Sequence, residues 1–421
     1  MKISPWLRHL VAAGFALLLA PMAQAAWFVW ETVELPMNTG ASCGNGTPYR
    51  FFVNRTPLNR NIAVTFEGGG ACWDQDACEG VGEYSATNPN GVPANYMSLP
   101  NSAAGGLVTP FSARFDPFQG VRTQDWNLVY MPYCTGDVHT GNLVQVYDDQ
   151  RPDAPRVQYH RGQANVKAAS DWLRKNMGRP SNLLLTGFSA GGVGSTAQYA
   201  VMRDTLAPTG RATLMADSGP LMNAPRGNTK EQSPSQPLHE LIRASWGLDL
   251  PGSLIPTLAA KLPLLDQNNM GSLAGALAAK YTQDRFGYMV FQEDGIFAGF
   301  SYLDFFPEID AEPDPKKKAD MLNALWRQDI AAWLPLLETR ANVSYHVPFF
   351  RDFNESHCLT IVDFSGTGIQ EKGIGSVEPF INNALDRKPA MRNVEQDQVT
   401  DLSQPLSLAM EILAIVLEFF G

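Results

Sequence analysis

The chain has 421 residues, of which 32 are Lys or Arg and 42 are Asp or Glu, so its net charge is -10. Hydrophobic residues make up 44% and charged residues 18%, a balance that excludes intrinsic disorder and is sufficient for one large domain or two ordinary ones. The acidic charge argues against a nucleic-acid partner, because phosphate binding requires a surplus of Lys and Arg.

The first 25 residues have the pattern of a cleaved export signal. The first eight residues contain Lys2 and Arg8 and no acidic residue. Residues 10–22 are almost wholly apolar, and Ala-Gln-Ala at residues 23–25 fits a signal-peptidase cleavage site. The apolar run is about 13 residues long, shorter than the ~20 that a membrane span needs. The pattern predicts cleavage near Ala25, a secreted or periplasmic protein, and no stable membrane insertion.

The cysteines fit export, because all five lie beyond residue 25 and an oxidising compartment permits disulfides. Spacing favours a Cys72–Cys78 bridge, and we hypothesise a second bridge between Cys43 and Cys134. The number is odd, so at least one cysteine has no partner within the chain. No Cys-x-x-Cys motif or metal-like histidine spacing occurs, and we therefore expect no metal and no cofactor.

Short apolar runs alternate with longer helical patterns, which is typical of a mostly parallel sheet flanked by helices, an α/β fold. We treat residues 26–421 as a single domain. Residues 221–285 lie between two predicted strands and are interpreted as an inserted helical cap, with a peripheral packing layer as the alternative. Residues 376–421 are expected to form a C-terminal helical extension, in which 406–420 is an amphipathic helix. The predicted strands are 62–66, 126–131, 182–186, 212–215, 286–291 and 343–349, and the predicted helices are 162–176, 191–206 and 319–338.

The strongest chemical signal is Gly-Phe-Ser-Ala-Gly at residues 187–191, where a buried-looking strand passes into a helix. This is the pattern of a nucleophile elbow, a tight turn that exposes a serine Oγ. Gly187 and Gly191 supply the small neighbours that let the backbone crowd around Ser189. The pattern predicts Ser189 as a nucleophile.

A second signal is the run Glu-Gly-Gly-Gly-Ala-Cys at residues 67–72, which follows the first central strand. In serine hydrolases, one oxyanion donor is the amide after the nucleophile, here Ala190, and the other comes from a glycine-rich loop. Gly68, Gly69 and Gly70 stand where that loop is expected. A phosphate-binding loop is disfavoured because no Gly-Lys-Ser/Thr ending follows. Glu67 is interpreted as a structural acceptor.

The general base is sought among the histidines beyond the signal segment. The expected chain order is nucleophile, acid, histidine, with the histidine on a loop after the last strand. His357 fits this position, whereas His346 lies inside a predicted strand and His239 in the predicted cap.

The acid must orient the imidazole and should follow a strand between Ser189 and His357. Asp294 follows the predicted strand 286–291, and Asp217 follows the preceding strand and is the alternative. Glu293 is a third candidate. Position in the sequence leaves this choice open.

Four segments resemble the pectin acetylesterase and Notum family of secreted α/β-hydrolases, in a bacterial branch. They are residues 41–49, with Asn45 where the family has an acid; 67–72; 125–137; and 187–192 together with 216–219. A tryptophan usual in the family's glycine loop is absent, and Trp73 follows the loop instead. The resemblance spans most of residues 30–360.

The resemblance implies the α/β-hydrolase fold, and it implies Ser189, Asp294 and His357 as the catalytic triad. It also implies that Gly68 or Gly69 acts with Ala190 as oxyanion donor and that Asp217 has a structural role beside the elbow. The acid segment is the poorest match, because the family's aromatic-Asp-x-x-Gln pattern is reduced here to Glu-Asp-Gly-Ile-Phe at 293–297.

We therefore expect a secreted serine carboxylesterase that acts on an acylated polysaccharide or a small ester. The resemblance points to removal of O-acetyl groups from a polysaccharide such as pectin. Two alternatives remain open: a lipase-like esterase of longer acyl chains, and a non-catalytic binding protein on a hydrolase scaffold. The sequence does not indicate an oligomeric state.

Overall fold

A nine-stranded mixed sheet forms the centre of the molecule, with strand order β1-β2-β4-β3-β7-β8-β9-β10-β11. The computed structural model describes residues 27–98, 109–114, 120–396 and 406–407. The export-signal segment and nearly all of the predicted 406–420 helix lie outside the described residues. The strands are β1 (Trp30–Glu34), β2 (Arg50–Asn54), β3 (Ile62–Phe66), β4 (Asn127–Met131), β7 (Asn182–Phe188), β8 (Arg211–Asp217), β9 (Arg285–Met289), β10 (Val343–Val347) and β11 (Arg392–Val394).

The sheet is parallel from β4 to β11, whereas β1 and β2 join its other edge in antiparallel pairings. A separate antiparallel ribbon consists of β5 (Leu143–Tyr147) and β6 (Arg156–His160). All six predicted strands are present, with ends within two residues of the prediction. Five strands were not predicted from the sequence. Of these, β1 and β11 are the edge strands of the sheet, β2 is antiparallel to both of its neighbours, and β5 and β6 form the separate ribbon.

Helices cover both faces of the sheet. Met215, Met289 and Phe380 belong to the buried cluster on one face, and Leu214, Phe286 and Trp333 belong to the larger cluster on the other. The α-helices are α1 (Gln75–Glu79), α2 (Gly162–Met177), α3 (Ala190–Ala197), α4 (Tyr199–Leu206), α5 (Gln236–Ser245), α6 (Leu254–Lys261), α7 (Leu273–Lys280), α8 (Gly295–Tyr302), α9 (Pro307–Asp310), α10 (Pro315–Leu337) and α11 (Glu378–Leu385). Among the described residues, no helix is both long enough and apolar enough to cross a lipid bilayer.

Two predicted helices differ from the observed ones for local reasons. The predicted 191–206 helix is two helices, α3 and α4, divided at Gln198, whose side-chain amide donates to the carbonyl oxygen of His139. The helix predicted from 319 begins four residues earlier, because the Asp314 side chain caps the amides of Lys316 and Lys317 and Pro315 occupies the first position.

Residues 221–285 hold α5, α6 and α7 between β8 and β9, so the segment expected to be a cap is helical. The described part of the expected C-terminal helical extension contains α11 and then β11, which pairs in parallel with β10. This part of the chain therefore also adds an edge strand to the sheet.

Both expected disulfides are present, Cys43–Cys134 and Cys72–Cys78, and Cys358 is a buried free thiol. The short bridge closes the loop that follows the glycine run at the carboxyl end of β3. The carboxyl ends of parallel strands meet at one edge of a sheet. This edge brings together the segments after β3, β7, β8, β9 and β10, which hold the residues singled out by the sequence.

Candidate active site

Ser189 lies in a sharp turn between β7 and α3, with φ of 56° and ψ of -127°. An ideal Cβ on Gly187 would be 2.2 Å from the carbonyl oxygen of Gly191, and one on Gly191 would be 2.1 Å from that of Phe66. Only glycine therefore fits on either side of the turn. The turn is fixed to the next strand because the amide of Ser189 donates to the carbonyl oxygen of Asp217 at 2.9 Å.

The glycine run lies against this turn. An ideal Cβ on Gly68 would be 2.8 Å from Cβ of Ser189, and Gly69 and Gly70 have φ values of 131° and 70°. Among the described residues, the amides of Gly69, Gly70 and Ala190 donate no hydrogen bond. Ala190 also begins α3, whose N-terminal dipole favours negative charge. The arrangement offers unpaired donors on two sides of Ser189.

A buried carboxylate lies beneath the glycine run. Glu67 accepts from the hydroxyls of Tyr96 at 2.6 Å and Tyr130 at 3.0 Å and from the amide of Tyr133 at 2.8 Å. Burial raises the pKa of Glu67 to about 7, and these three hydrogen bonds oppose that rise. The Nε2 atom of His139 donates to the carbonyl oxygen of Glu67 at 2.9 Å. Glu67 thus has a full set of structural partners, in keeping with its expected role as an acceptor.

The imidazole of His357 is bonded to Asp294. Its Nδ1 donates to Asp294, with both carboxylate oxygens at 2.9 Å, and Asp294 is fully buried. Burial lowers the pKa of His357, but the charge and hydrogen bond of Asp294, aided by Asp217 and Glu355, outweigh it, so the pKa is raised above 6.5. Among the described residues, Nε2 of His357 has no hydrogen-bond partner.

Asp294 also has a structural role. Its Oδ1 accepts from the amide of Phe297 at 2.9 Å and caps the N-terminus of α8. The helix cap therefore fixes the carboxylate that contacts His357. Glu293, the third candidate, points elsewhere and pairs with Arg327 at 2.8 Å.

Asp217, the alternative acid, holds the chain just after His357. Its Oδ1 accepts from the amide of Leu359 at 2.9 Å, and its Oδ2 accepts from the amide and hydroxyl of Thr360, both at 2.7 Å. The hydroxyl oxygen of Ser218 accepts from the amide of Cys358 at 3.0 Å. The structure thus brings Asp294, not Asp217, into hydrogen-bonding contact with the imidazole.

The loop that carries His357 is held in an unfavourable backbone conformation. Asn354, Glu355, Ser356 and Cys358 have φ values of 49°, 49°, 57° and 69°, in the left-handed region that non-glycine residues rarely occupy. Such residues cost about 1–3 kcal/mol each and persist only where neighbouring structure enforces them. Arg351 is one enforcing group, because its guanidinium donates to the carbonyl oxygen of Cys358 and its amide donates to the hydroxyl of Ser356.

Ser189 and His357 both line one cavity of about 70 Å³. Gly70 and Ala71 also line this cavity. Most of the wall is apolar and comes from two sources, the 221–285 segment and α8. The apolar side chains from these sources are Leu221, Met222, Leu238, Ile242, Trp246, Ile296, Phe297 and Phe300.

The other histidines have different surroundings. His139, His160 and His346 are buried and bonded to backbone carbonyl oxygens. Burial lowers the pKa values of these three to about 4, about 3 and about 4, which keeps each imidazole neutral. His239 lines the cavity, but no described carboxylate is hydrogen-bonded to its ring.

Comparison with known proteins gives the affiliation of the chain. The family model described as Pectinacetylesterase matches residues 23–245, more than half of the chain. The chain belongs to the pectinacetylesterase family. The matched stretch includes the glycine run and Ser189 and ends before Asp294 and His357.

The relatives of this family member are named as palmitoleoyl-protein carboxylesterases or as pectin acetylesterases. Palmitoleoyl-protein carboxylesterase notum2 of Xenopus laevis is 24% identical over 188 residues, which are 43% of this chain and 35% of that protein. Pectin acetylesterase 5 of Arabidopsis thaliana is 28% identical over 193 residues, which are 44% of this chain and 40% of that protein. The alignments thus span little more than a third of these relatives. Another relative, from Danio rerio, is named as an inactive palmitoleoyl-protein carboxylesterase.

A solved structure supports the fold assignment of this family member. The Wnt deacylase Notum from Drosophila superposes with a TM-score of 0.59 at 17% identity, covering 89% of this chain and 99% of that one. The α/β-hydrolase fold expected from the sequence is therefore confirmed.

Two parts of the site were not predicted. The anchoring of the His357 loop by Asp217, Ser218 and Arg351 joins residues up to 143 positions apart, and no local motif marks it. The apolar run Ile-Phe-Ala-Gly-Phe at residues 296–300 of α8 comes two residues after Asp294, and this run could have indicated a pocket wall. Among the described residues, a cluster with metal-like spacing consists of Cys72, Cys78 and His160, but its two sulfurs form a disulfide and offer no thiolate.

Proposed function

We propose that this member of the pectinacetylesterase family is a serine carboxylesterase that works through an acyl-enzyme. The observation that carries the proposal is His357, whose Nδ1 is bonded to Asp294 while its Nε2 has no described partner and lines a cavity shared with Ser189. A histidine held in one orientation, on the same cavity as a serine in a nucleophile-elbow turn, fits the arrangement that activates a hydroxyl nucleophile.

In the proposed reaction, Oγ of Ser189 attacks the ester carbonyl while Nε2 of His357 takes its proton. The amide of Ala190 and the amides of the Gly68–Gly70 loop stabilise the oxyanion of the tetrahedral intermediate. His357 then protonates the leaving alcohol as the carbon–oxygen bond breaks. In deacylation, a water molecule gives a proton to Nε2 of His357 as it attacks the acyl carbon, and the imidazolium then protonates Oγ of Ser189 as the bond between the acyl carbon and Oγ breaks. Asp294 stabilises the imidazolium in both halves, and no metal or cofactor enters the scheme.

The acyl group is proposed to be acetyl, carried by a polysaccharide such as pectin. The names of the Arabidopsis relatives, both pectin acetylesterases, support this choice. We also propose that residues 1–25 are an export signal cleaved near Ala25 and that the mature protein is secreted or periplasmic. The two disulfides support that compartment, because such bonds form and persist in oxidising environments.

A longer acyl chain is the second candidate, and the cavity wall favours it. An acetyl group would contact only a small part of the wall formed by α8 and by the 221–285 segment. A further, mostly apolar cavity of about 30 Å³ shares the lining residues Val138, Val193, Ile242 and Trp246 with the first. We propose that a longer acyl chain extends from the first cavity into the second. In this version the 221–285 segment acts as a cap that supplies the acyl-binding wall.

The test is hydrolysis of the 4-nitrophenyl esters of acetate, butyrate and octanoate by the mature protein. Ser189→Ala is expected to lower kcat by about 10³-fold or more on every ester. Ser181→Ala, at the opposite end of β7, is the matched control and should retain wild-type rates. Acetate preference supports the acetylesterase, and octanoate preference supports the second candidate. Equal rates for wild type and Ser189→Ala would contradict the mechanism and leave a binding protein.

A further inference from the structure

His239 lies where the two cavities beside Ser189 meet. It lines the first cavity, which Ser189 and His357 also line, and it lines the second cavity of about 30 Å³ as well. The other side chains that line both cavities are Val138, Val193, Leu221, Ile242 and Trp246. The two cavities are therefore adjacent, and a chain that extends from the first into the second passes His239.

The imidazole of His239 forms no hydrogen bond with any residue that the structure describes. It differs in this from the other buried histidines, which are bonded to backbone carbonyl oxygens: His139, His160 and His346. Burial, aided by the charge of Arg243, lowers the pKa of His239 to about 4. The ring is therefore neutral at physiological pH, with one nitrogen that donates and one that accepts.

Ser235 gives the same wall a second unpaired polar group. It lines the first cavity, it is 1% exposed, and its Oγ has no hydrogen-bond partner among the described residues. It precedes His239 by one helical turn, and the amide of His239 donates to its carbonyl oxygen at 3.1 Å. Residues four apart lie on the same side of a helix. We call Ser235 and His239 the polar pair.

The other polar side chains of the two cavity walls are already engaged, apart from Ser189 and His357. Each of them donates to an oxygen atom of the protein, and they are Trp73, Thr140, Arg243, Trp246 and Ser301. Within the described part of the chain, the polar pair is thus the set of side chains outside the triad that these walls offer to a polar group of a bound ester.

The acyl part of an ester, and not its alcohol part, is directed towards the second cavity. His357 must protonate the leaving alcohol, so the alcohol lies beside His357, which does not line the second cavity. Cavities of about 70 Å³ and about 30 Å³ also cannot enclose a polysaccharide chain. The group that reaches His239 is therefore a part of the acyl chain.

We propose that, among acyl chains longer than acetyl, the site prefers those that carry a hydroxyl group, so that its substrate class is the hydroxyacyl esters. This inference rests on the proposed esterase function in its longer-chain form. A hydroxyl group donates and accepts, and it can therefore bind the His239 imidazole and Oγ of Ser235. An alkyl chain of the same length displaces water from these groups without replacing its hydrogen bonds, and it loses affinity.

The experiment measures kcat/KM for the methyl esters of hexanoate, 3-hydroxyhexanoate and 6-hydroxyhexanoate, with acid release followed by titration at constant pH. For at least one hydroxy ester, kcat/KM should exceed that of hexanoate roughly tenfold, the value of about one good hydrogen bond. The difference should lie mainly in KM, because the hydroxyl group is bound in the ground state and in the transition state alike.

Substitutions in the polar pair identify it as the cause. His239→Leu removes both nitrogens and should lower the ratio of hydroxy ester to hexanoate roughly tenfold, whereas His239→Gln retains a donor and an acceptor and should restore most of it. Ser235→Ala is a smaller change and should lower the ratio severalfold. The matched control is Ile242→Val, which alters the wall of both cavities without a change in polarity and should leave the ratio unchanged.

The possible results separate this inference from the esterase function. Ratios of about one or less for both hydroxy esters would overturn it, as would a ratio that neither His239→Leu nor Ser235→Ala changes. A loss in His239→Leu that His239→Gln does not restore would assign His239 a role in shape alone and would also overturn it. Hydrolysis of 4-nitrophenyl acetate without hydrolysis of any hexanoate ester would reject the inference and retain the esterase, whereas no hydrolysis of any ester would reject both.

Discussion

Asp294→Asn separates the electrostatic role of this side chain from its structural role. The substitution removes the negative charge that faces Nδ1 of His357 but keeps an oxygen that can cap α8 at Phe297. Asn and Asp are equivalent helix caps, so the free energy of unfolding should change by less than about 1 kcal/mol. The imidazolium formed during acylation, in contrast, loses its buried partner.

We expect kcat/KM on 4-nitrophenyl acetate to fall by about 10³-fold, which corresponds to about 4 kcal/mol of transition-state stabilisation. The pH profile should shift as well. His357 must be neutral to accept the serine proton, so activity is lost as pH falls through its pKa. That pKa is raised above 6.5 in the wild type, with Asp294 as the main raising group, so in Asp294→Asn the acid limb should move to lower pH.

The assay is kcat/KM measured from about pH 5 to pH 8 for both proteins, with thermal unfolding as the control for folding. Asp294→Ala is the comparison variant, because it removes both the charge and the helix cap and should cost about 1 kcal/mol of stability in addition. A rate for Asp294→Asn within tenfold of wild type, with an unmoved acid limb, would refute the assignment of Asp294 as the acid.

Three further variants test the surroundings of the site. Gly191→Ala places a Cβ 2.1 Å from the carbonyl oxygen of Phe66 and should lower Tm by several degrees; an unchanged Tm would contradict the close approach. Glu67 has a folded pKa of about 7 against 4.5, so it contributes stability below pH 4.5 that is lost as pH rises to 7. Glu67→Gln has no carboxyl to ionise and does not lose this stability. The free energy of unfolding of Glu67→Gln minus that of wild type, measured with urea, should therefore rise between pH 4.5 and pH 7 by at most about 1.4 kcal/mol per pH unit. A difference that does not change with pH would contradict the pKa shift. Replacing both Cys72 and Cys78 by Ser should cost about 2 kcal/mol in urea unfolding, and wild type in reductant should lose more than this, because reductant also opens the longer Cys43–Cys134 loop; an unchanged stability of the double variant would contradict the argument.

The central strands could be predicted because they are mainly apolar and are buried on both faces, as in Ile62–Phe66 and Asn127–Met131. Edge strands give no such signal. In β1 only Val33 is buried, and β11 has three residues. Their pairing depends on distant segments, which a local pattern does not contain.

Position in the sequence alone did not decide between Asp217 and Asp294, because both follow parallel strands at the same edge of the sheet. The structure distinguishes them by their partners. Asp217 is occupied by Leu359 and Thr360, more than 140 residues away, whereas Asp294 contacts the His357 imidazole. Only the folded chain determines which carboxylate has oxygens available to the histidine.

Helix α8 links acyl selectivity to catalytic turnover, two properties that protein engineering would treat as separate. It begins directly after its cap, Asp294, and presents Ile296, Phe297 and Phe300 to the cavity within its first two turns. A short helix moves as a unit, so a bulky or small replacement on this wall also displaces the carboxylate beside His357. Leu238 and Ile242, which line the cavity from α5, belong to a helix that carries no residue of the Ser189, Asp294 and His357 set. Substitutions on α5 should therefore alter acyl selectivity and leave turnover intact. Substitutions on α8 should change selectivity and turnover together.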